Sequence, residues 1–237
     1  MSAPHFFAER VDSDRVSITG GDAHHAARAL RIRPGEEITV SDGQGTVVRA
    51  RTVDVSSSRV TAHVTTRHHV EQPSPLVVVF PAVSKGVKLE TVVQKLTELG
   101  VDEIRPWFSI RSVVHWDAAK AAARTDRLRS VAREAAMQSR RAWLPVVMEP
   151  GPLGDLPELT LVLHEESVDG LIASMPSVAP SAIGVVVGPE GGLDTEEVEQ
   201  LAAGGALPVS LGRQILRTET AGVVGPALVL AQYGRLG

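Results

Sequence analysis

The sequence VVVGPEGGLD at residues 185–194 runs from three consecutive valines into a turn that contains three glycines. The valines predict a buried strand, and the periodicity of residues 195–203 predicts a helix after the turn. Asp194 and Glu197 fit a variant capping box, in which aspartate replaces the usual hydroxyl residue. In α/β sheets, ligands bind beyond the carboxyl ends of strands. The stretch therefore predicts a ligand site, with a tight turn that only starts a helix as the alternative.

The same alternation of apolar runs and helical periodicity extends from residue 76 to the end of the chain. Strands are predicted at 76–83, 104–108, 159–163, 183–187 and 208–211. Helices are predicted at 118–141, 195–203 and 220–233, and a further helical pattern stops at Gly100. We therefore predict an α/β domain with a mostly parallel sheet and helices on both faces.

The first 72 residues have a different pattern. Short apolar or alternating runs at 16–19, 37–40, 46–53 and 59–64 are separated by Gly-Gly, Pro-Gly and Asp-Gly pairs. This pattern predicts a small β-rich domain, with one short helix at 22–31 that has Asp22 as its N-cap. The sequence Gln-Pro-Ser-Pro at 72–75 is typical of a stiff linker. We therefore expect two domains, at residues 1–72 and 73–237.

The composition narrows the class of protein. The 237 residues are 43% hydrophobic and 22% charged, and none is cysteine. These values predict a folded chain, and the lack of cysteine excludes disulfides, thiolate metal sites and cysteine nucleophiles. Neither a secretory leader pattern nor an apolar run long enough to cross a bilayer is present, so we expect a cytoplasmic protein.

The net charge of −4 conceals a separation of charge along the chain. Residues 105–141 hold nine Lys or Arg and three Asp or Glu, whereas residues 142–210 hold eleven acids and no Lys or Arg. The basic segment predicts a phosphate-binding face, with a solvated helix face as the alternative. The acidic segment disfavours a triphosphate and suits a cationic or zwitterionic ligand. The glycine turn also lacks the residue order of a P-loop or of a dinucleotide fold.

A second predicted strand leads into a helix at residues 211–221, LGRQILRTETA. Thr218 or Thr220 is expected to cap this helix, and Arg217 and Glu219 place opposite charges within one turn. The alternative is a surface ion pair beside a cap. A third strand end precedes His164, so the three strand ends are expected to line one pocket. Motifs for zinc proteases and for serine hydrolases are lacking, and no metal is expected.

Taken together, GPEGG and LGxxxLRTETA make the chain resemble the RsmE family of 16S rRNA uridine N3-methyltransferases, in the SPOUT superfamily. Matching residues also occur in the first domain, at His25, Leu30, Arg31 and Pro34-Gly35, and in the second, at Lys85, Gln94-Lys95 and Thr97-Glu98-Leu99-Gly100. The resemblance implies a homodimer with a PUA-like β-barrel at residues 1–72 and a trefoil-knotted catalytic domain. It also implies methyl transfer from S-adenosylmethionine to uridine 1498 of 16S rRNA in the small ribosomal subunit.

The resemblance further implies which residues form the site. The predicted donor pocket comprises Leu163, His164, Gly188, Pro189, Glu190, Gly191, Gly192, Leu211, Gly212, Ile215, Leu216, Arg217, Thr218, Thr220 and Ala221. Arg217 is predicted to stabilise negative charge on the uracil, and Glu219 to remove the N3 proton or orient Arg217, with Glu190 as the second-choice carboxylate. RNA contacts are predicted at His25, Arg31, Arg124, Arg133, Gln138 and Arg141.

Two positions depart from the family pattern. His5 stands where many relatives have an arginine, so an RNA contact there is not expected without a dependence on pH. Met137 stands where relatives often have a glutamate, so no acid–base role is assigned to that position. Two other functions remain open from the residues: a knotted methyltransferase that modifies a ribose 2′-hydroxyl or another base, and an RNA-binding protein without catalytic activity.

Overall fold

The computed structural model describes residues 3–85, 88–112, 114 and 116–236. The chain divides into two compact units. The first comprises Met1–Gln72 together with Ala136–Leu144, and the second comprises Pro73–Ala135 and Pro145–Gly237. In the described residues, no helix combines the length and the apolar character that crossing a bilayer requires.

The first unit is built on a five-stranded sheet. Its strands are β1 His5–Phe7, β2 Arg15–Thr19, β3 Glu37–Ser41, β4 Thr46–Val55 and β5 Arg59–His69, in the order β1-β3-β4-β5-β2. β1 pairs in parallel with β3, and the other neighbours pair antiparallel. Alternate residues such as Ile18, Val40 and Val48 are fully buried in one apolar core. The four predicted strands are confirmed, whereas β1 is too short to give an alternation signal.

The helix predicted at 22–31 has different bounds and a different cap. It consists of α1, Gly20–His24, followed by a π-helical segment, His25–Ala29. Thr19 is the N-cap residue and its side chain makes no capping hydrogen bond. The prediction that Asp22 caps this helix is therefore wrong, because the helix begins two residues earlier and Asp22 lies in its first turn.

Residues 136–144 complete the first unit through contacts that are distant in sequence. Ser41 Oγ donates to the carbonyl of Ala142 at 2.8 Å, and the Trp143 indole donates to the carbonyl of Val70 at 2.9 Å. Met137 packs against the apolar core of the unit. The sequence contained no indication that this segment joins the first unit, because its own pattern continues the preceding helix.

The second unit contains a six-stranded sheet in which every pair of neighbouring strands is parallel. The strands are β6 Leu76–Pro81, β7 Glu103–Ile104, β8 Val146–Val147, β9 Leu159–Leu163, β10 Ala182–Val187 and β11 Leu207–Val209. Their order in the sheet is β11-β9-β10-β6-β7-β8. The helices are α2 Lys88–Leu99, α3 Ala118–Gln138, α4 Thr195–Ala203 and α5 Thr218–Gln232, of which α3 belongs to this unit up to Ala135.

The two faces of this sheet belong to separate apolar cores. Val77 and Val79 of β6 face a core that includes residues of α2, α3 and α5. Val78 and Phe80 face a second core, against which Val198 of α4 packs. Successive side chains of a strand point to opposite faces of the sheet. The two cores therefore lie on opposite faces, and helices cover both. The predicted mostly parallel α/β fold is confirmed, and the trefoil knot stays a prediction.

Several element bounds differ from those predicted. The strand expected at 104–108 ends at Ile104, because Pro106 has no backbone N–H to donate, and Trp107 forms only isolated bridges. The helix expected to extend to Arg141 ends at Gln138, and the backbone of Arg140 has a φ of +56°. The predicted stop at Gly100 is confirmed by its φ of +101° directly after α2.

Candidate functional site

Three neighbouring strands end at the same level of the parallel sheet. Leu163 at the end of β9 is in register with Val187 of β10 and with Val209 of β11. Since these strands are parallel, the segments that follow them leave from the same edge. A cavity of about 390 Å³ lies there. Its lining is formed by Lys88, Leu163, His164, Glu165, Val187, Gly188, Pro189, Glu190, Gly192, Leu193, Ser210, Leu211, Gly212, Gln214, Ile215, Leu216, Arg217, Thr218, Glu219 and Ala221.

The glycine turn after β10 forms one side of this cavity. A Cβ atom on Gly188 would lie 3.0 Å from Leu193 Cγ and 3.3 Å from the Leu193 amide nitrogen. Gly192 has a φ of +72° and donates its N–H to the carbonyl of Pro189 at 3.0 Å. Glycine is therefore favoured at the first position by close approach and at the second by backbone conformation.

The predicted capping box that follows the turn is confirmed. The Asp194 carboxylate accepts from the amide of Glu196 at 3.1 Å, and Glu197 Oε2 accepts from the amide of Asp194 at 3.0 Å. Glu197 is buried and also accepts from Ser109 Oγ at 2.8 Å and from the amide of Ile110 at 2.7 Å. One buried carboxylate thus fixes both the start of α4 and the loop beside it.

The start of α5 also lines the cavity. Its N-cap is Arg217, which makes no side-chain capping bond. The prediction that Thr218 or Thr220 caps α5 is therefore wrong. Thr218 is the first helical residue, and its hydroxyl donates to the carbonyl of Gly188. That hydrogen bond ties the last helix to the glycine turn.

Charged groups lie together on one wall of the cavity. Lys88 Nζ is 3.3 Å from Glu190 Oε1 and 3.7 Å from Glu219 Oε2. The Glu219 Oε2 atom is buried and accepts no hydrogen bond from the described residues. Burial of Glu190 opposes its ionisation, but a hydrogen bond from its own backbone amide and the nearby Lys88 ammonium outweigh this effect and lower its pKa.

Arg217 and Glu219 were expected to act as neighbours of opposite charge. In the described part of the chain, however, the cation paired with Glu219 is Lys88, and no ion pair joins Arg217 to an acid. Arg217 is exposed and lines the cavity. The arrangement therefore leaves a guanidinium and a carboxylate on one cavity, each with capacity for a ligand.

Most of the predicted donor-pocket residues come together on this cavity, and two do not line it. Gly191 lies outside the lining, and its carbonyl accepts from Arg111 Nη1 at 3.2 Å. Thr220 is exposed on the first turn of α5, outside the cavity lining. Six lining residues were missed from the sequence: Lys88, Glu165, Val187, Leu193, Ser210 and Gln214. All except Lys88 adjoin segments that the sequence had singled out.

The predicted RNA-contacting residues are spread over both units. His25, Arg31 and Gln138 are exposed in the first unit, where Arg141 is partly buried. The remaining two, Arg124 and Arg133, lie on α3 within the second unit. The positive charge on α3 is partly balanced, because Glu90 lies 3.7 Å from Arg124 Nη1 and also pairs with Arg127.

Comparison with known proteins finds a family match in each of the two units. Residues 70–230 match the family model of an RNA methyltransferase domain, and residues 18–65 match that of an RNA methyltransferase PUA domain. Ribosomal RNA small subunit methyltransferase E of Mycobacterium bovis is 35% identical over 236 residues, covering 94% of this chain and 90% of that protein. The chain belongs to the ribosomal RNA small subunit methyltransferase E family. Both the predicted family and the predicted PUA domain are confirmed.

Two solved structures of similar proteins extend the comparison. A methyltransferase of Legionella pneumophila, solved with bound SAM, has a TM-score of 0.88 and 26% identity over 98% of both chains. The methyltransferase E of Neisseria gonorrhoeae, solved with S-adenosyl methionine, has a TM-score of 0.85 and 29% identity over 97% of this chain and 98% of that one. Both similarities therefore extend over nearly the whole length of this chain.

Proposed function

We propose that this member of the methyltransferase E family transfers a methyl group from S-adenosylmethionine to N3 of a uridine in 16S rRNA. By resemblance, the target is uridine 1498 in the small ribosomal subunit. The enzyme is proposed to act in the cytoplasm as a homodimer, with its catalytic segments in the predicted knot. The observation that carries the proposal is the cavity at the strand ends, which brings the glycine turn, Arg217 and Glu219 together.

The cavity fits the proposed methyl donor in size, backbone shape and charge. Its volume of about 390 Å³ falls within the range typical of small-molecule sites. Gly188 and Gly192 present backbone without side chains on one side. Glu165, Glu190 and Glu219 supply carboxylates that complement a cationic ligand. When bound, the donor supplies a methyl group on a positively charged sulfur.

Glu219 and Arg217 carry the proposed chemistry on the nucleoside. Neutral uridine has a proton on N3, which must leave when the N3–methyl bond forms. Glu219 Oε2 is a buried acceptor without a hydrogen bond, and it accepts this proton. Arg217 lies on the same cavity and stabilises the negative charge that develops on the uracil oxygens. Alignment of the nucleoside with the donor supplies the rest of the rate enhancement.

Contacts with phosphate groups are proposed to position the RNA. These contacts are assigned to His25 and Arg31 in the PUA domain, to Arg124 and Arg133 on α3, and to Gln138 and Arg141. Such contacts place an RNA without choosing the base. Aromatic residues form only 3% of the chain, so recognition by folded RNA shape is favoured over stacking on a long single strand.

Calorimetry with S-adenosylmethionine and labelled methyl transfer to small ribosomal subunits test the proposal. Digestion of the RNA to nucleosides is expected to place the label in 3-methyluridine. Label in a 2′-O-methyl nucleoside or in another methylated base would show that the enzyme modifies a ribose 2′-hydroxyl or another base, and not N3 of uridine. If the protein bound RNA but released no heat with the donor and transferred no label, it would be a non-catalytic RNA-binding protein.

A further inference from the structure

Lys88 joins three separate parts of the cavity wall. It is the first residue of α2, and its ammonium group contacts Glu190 in the glycine turn and Glu219 in the first turn of α5. The acceptor oxygens lie 3.3 Å and 3.7 Å from the same nitrogen. Lys88 therefore connects α2 to two segments that lie more than a hundred residues later in the sequence.

The three groups form a cluster whose charge depends on Lys88. With Lys88 present, two carboxylates share one cation, so the cluster carries one net negative charge. Without it, the two carboxylates would repel each other with no cation between them. The Glu219 oxygen would then no longer be held at its place on the cavity wall.

Lys88 Nζ lies at different distances from the two carboxylates, and this difference decides which of them it can hydrogen-bond. Lys88 is within hydrogen-bond distance of Glu190, at 3.3 Å, but not of Glu219 Oε2, at 3.7 Å. The Glu219 oxygen is thus held by charge and keeps its lone pairs for another donor. A direct hydrogen bond from lysine would have occupied one of these lone pairs and made the oxygen a poorer base.

We propose that Lys88 is a positioning residue for methyl transfer, whose ammonium group holds Glu190 and Glu219 in place and keeps Glu219 Oε2 directed towards the N3 proton of the substrate uridine. This inference rests on the proposed function. It assigns Lys88 an effect on turnover through Glu219 and on the pH dependence of donor binding through Glu190. A lysine that only linked α2 to its neighbours would affect stability alone.

Lys88→Met and Lys88→Arg test the inference, with Lys95→Met as the matched control. Lys95 lies on the same helix, pairs with Glu98 at 2.8 Å and does not line the cavity. Lys88→Met is expected to lower kcat by about 10- to 100-fold, with a smaller change in donor affinity. Lys88→Arg should restore most of the activity because it keeps the charge, and Lys95→Met should behave as wild type.

The pH dependence separates a positioning role from a structural one. Lys88 helps to lower the pKa of Glu190. The pH at which donor affinity falls, measured by calorimetry, is therefore expected to move to higher pH in Lys88→Met, because this contribution is lost. Among the described residues that line the cavity, the other charged or titratable groups are His164, Glu165 and Arg217. They are unchanged in the variant, so they cannot produce a difference from wild type by themselves.

Wild-type kinetics and an unchanged pH profile in Lys88→Met would overturn the inference. A loss of activity in Lys88→Met that Lys88→Arg did not restore would also overturn it, if the pH dependence of donor affinity stayed the same. If thermal unfolding showed that Lys88→Met folds poorly, Lys88→Gln would replace it. The same results would then support or overturn the inference. Absence of methyl transfer by the wild-type protein would refute the proposed function itself. An active wild-type protein whose Lys88 variants had unchanged kinetics and pH dependence would refute only the role of Lys88.

Discussion

The guanidinium of Arg235 encloses the carboxylate of Asp102 in a nearly buried ion pair. Two of their N–O distances are 2.6 Å and 3.1 Å, and the side chains are 8% and 10% exposed. Arg235 also donates to the carbonyls of Pro75 and Gly100, and Asp102 Oδ2 accepts from the amide of Val77. The C-terminal residues are thereby fastened to the start of β6 and to the end of α2.

Removal of either partner of this pair should strongly destabilise the second unit. Arg235→Met leaves Asp102 buried without its counter-charge, and a loss of about 3–5 kcal/mol is expected. Chemical denaturation of the variant against wild type measures the change. Lys95→Met is the control, because Lys95 pairs with Glu98 within one helix at a more exposed position and should cost less than about 1 kcal/mol. Equal effects of the two substitutions would contradict this assignment.

Gly188→Ala should weaken binding of the methyl donor. The added Cβ would meet Leu193 Cγ at 3.0 Å and the Leu193 backbone nitrogen at 3.3 Å, so the turn must shift. Such overpacking typically costs about 1–3 kcal/mol, and roughly a tenfold or greater rise in the donor Kd is expected. Calorimetry measures the change. Gly154→Ala, where nothing lies within 4 Å of the added atom, should bind as wild type.

Arg217→Ala and Glu219→Gln should each reduce turnover far more than donor affinity. A loss of about 100-fold in kcat is expected for each, because each removes a group that acts in the transition state. Single-turnover transfer to small ribosomal subunits measures the effect, and calorimetry measures the donor Kd. Arg213→Ala is the control, since Arg213 is exposed and does not line the cavity. Unchanged turnover in Arg217→Ala would exclude its catalytic role.

His5 should make the stability of the protein fall as the pH is lowered from about 6.5 to 4. Burial lowers the pKa of His5 from 6.5 to about 4, an effect that its hydrogen bond with the Arg141 carbonyl only partly offsets. Since the unfolded chain binds the proton more readily than the folded one, stability is full above pH 6.5 and is lost as pH falls through this window. The loss from this group approaches about 3 kcal/mol near pH 4.

Thermal unfolding between pH 4 and 7 measures this effect. His5→Gln is expected to flatten the dependence of Tm on pH, because the amide keeps hydrogen-bonding capacity without titrating. His63→Gln, at an exposed position of β5, should leave the dependence as it is in wild type. A wild-type slope in His5→Gln would show that another group is responsible.

Local patterns in the sequence predicted the elements that depend on neighbouring residues. Strand β9 and helix α4 have the predicted bounds, and the capping box of Asp194 and Glu197 forms as expected. These features arise within a few residues, where periodicity and capping chemistry act. The predictions for Asp22, Thr218 and Thr220 as caps were wrong because each depended on the residue at which a helix begins, which packing decides.

By itself, the sequence determined the alternation of strands and helices, the glycine turn at the site, and the family to which the chain belongs. Only the tertiary structure decided that Lys88 pairs with Glu190 and Glu219, that residues 136–144 join the first unit, and that Arg235 meets Asp102. Each of these contacts joins residues far apart in the chain. Periodicity and capping act over only a few neighbouring residues, so such pairings arise when the packed sheet and helices bring the segments together.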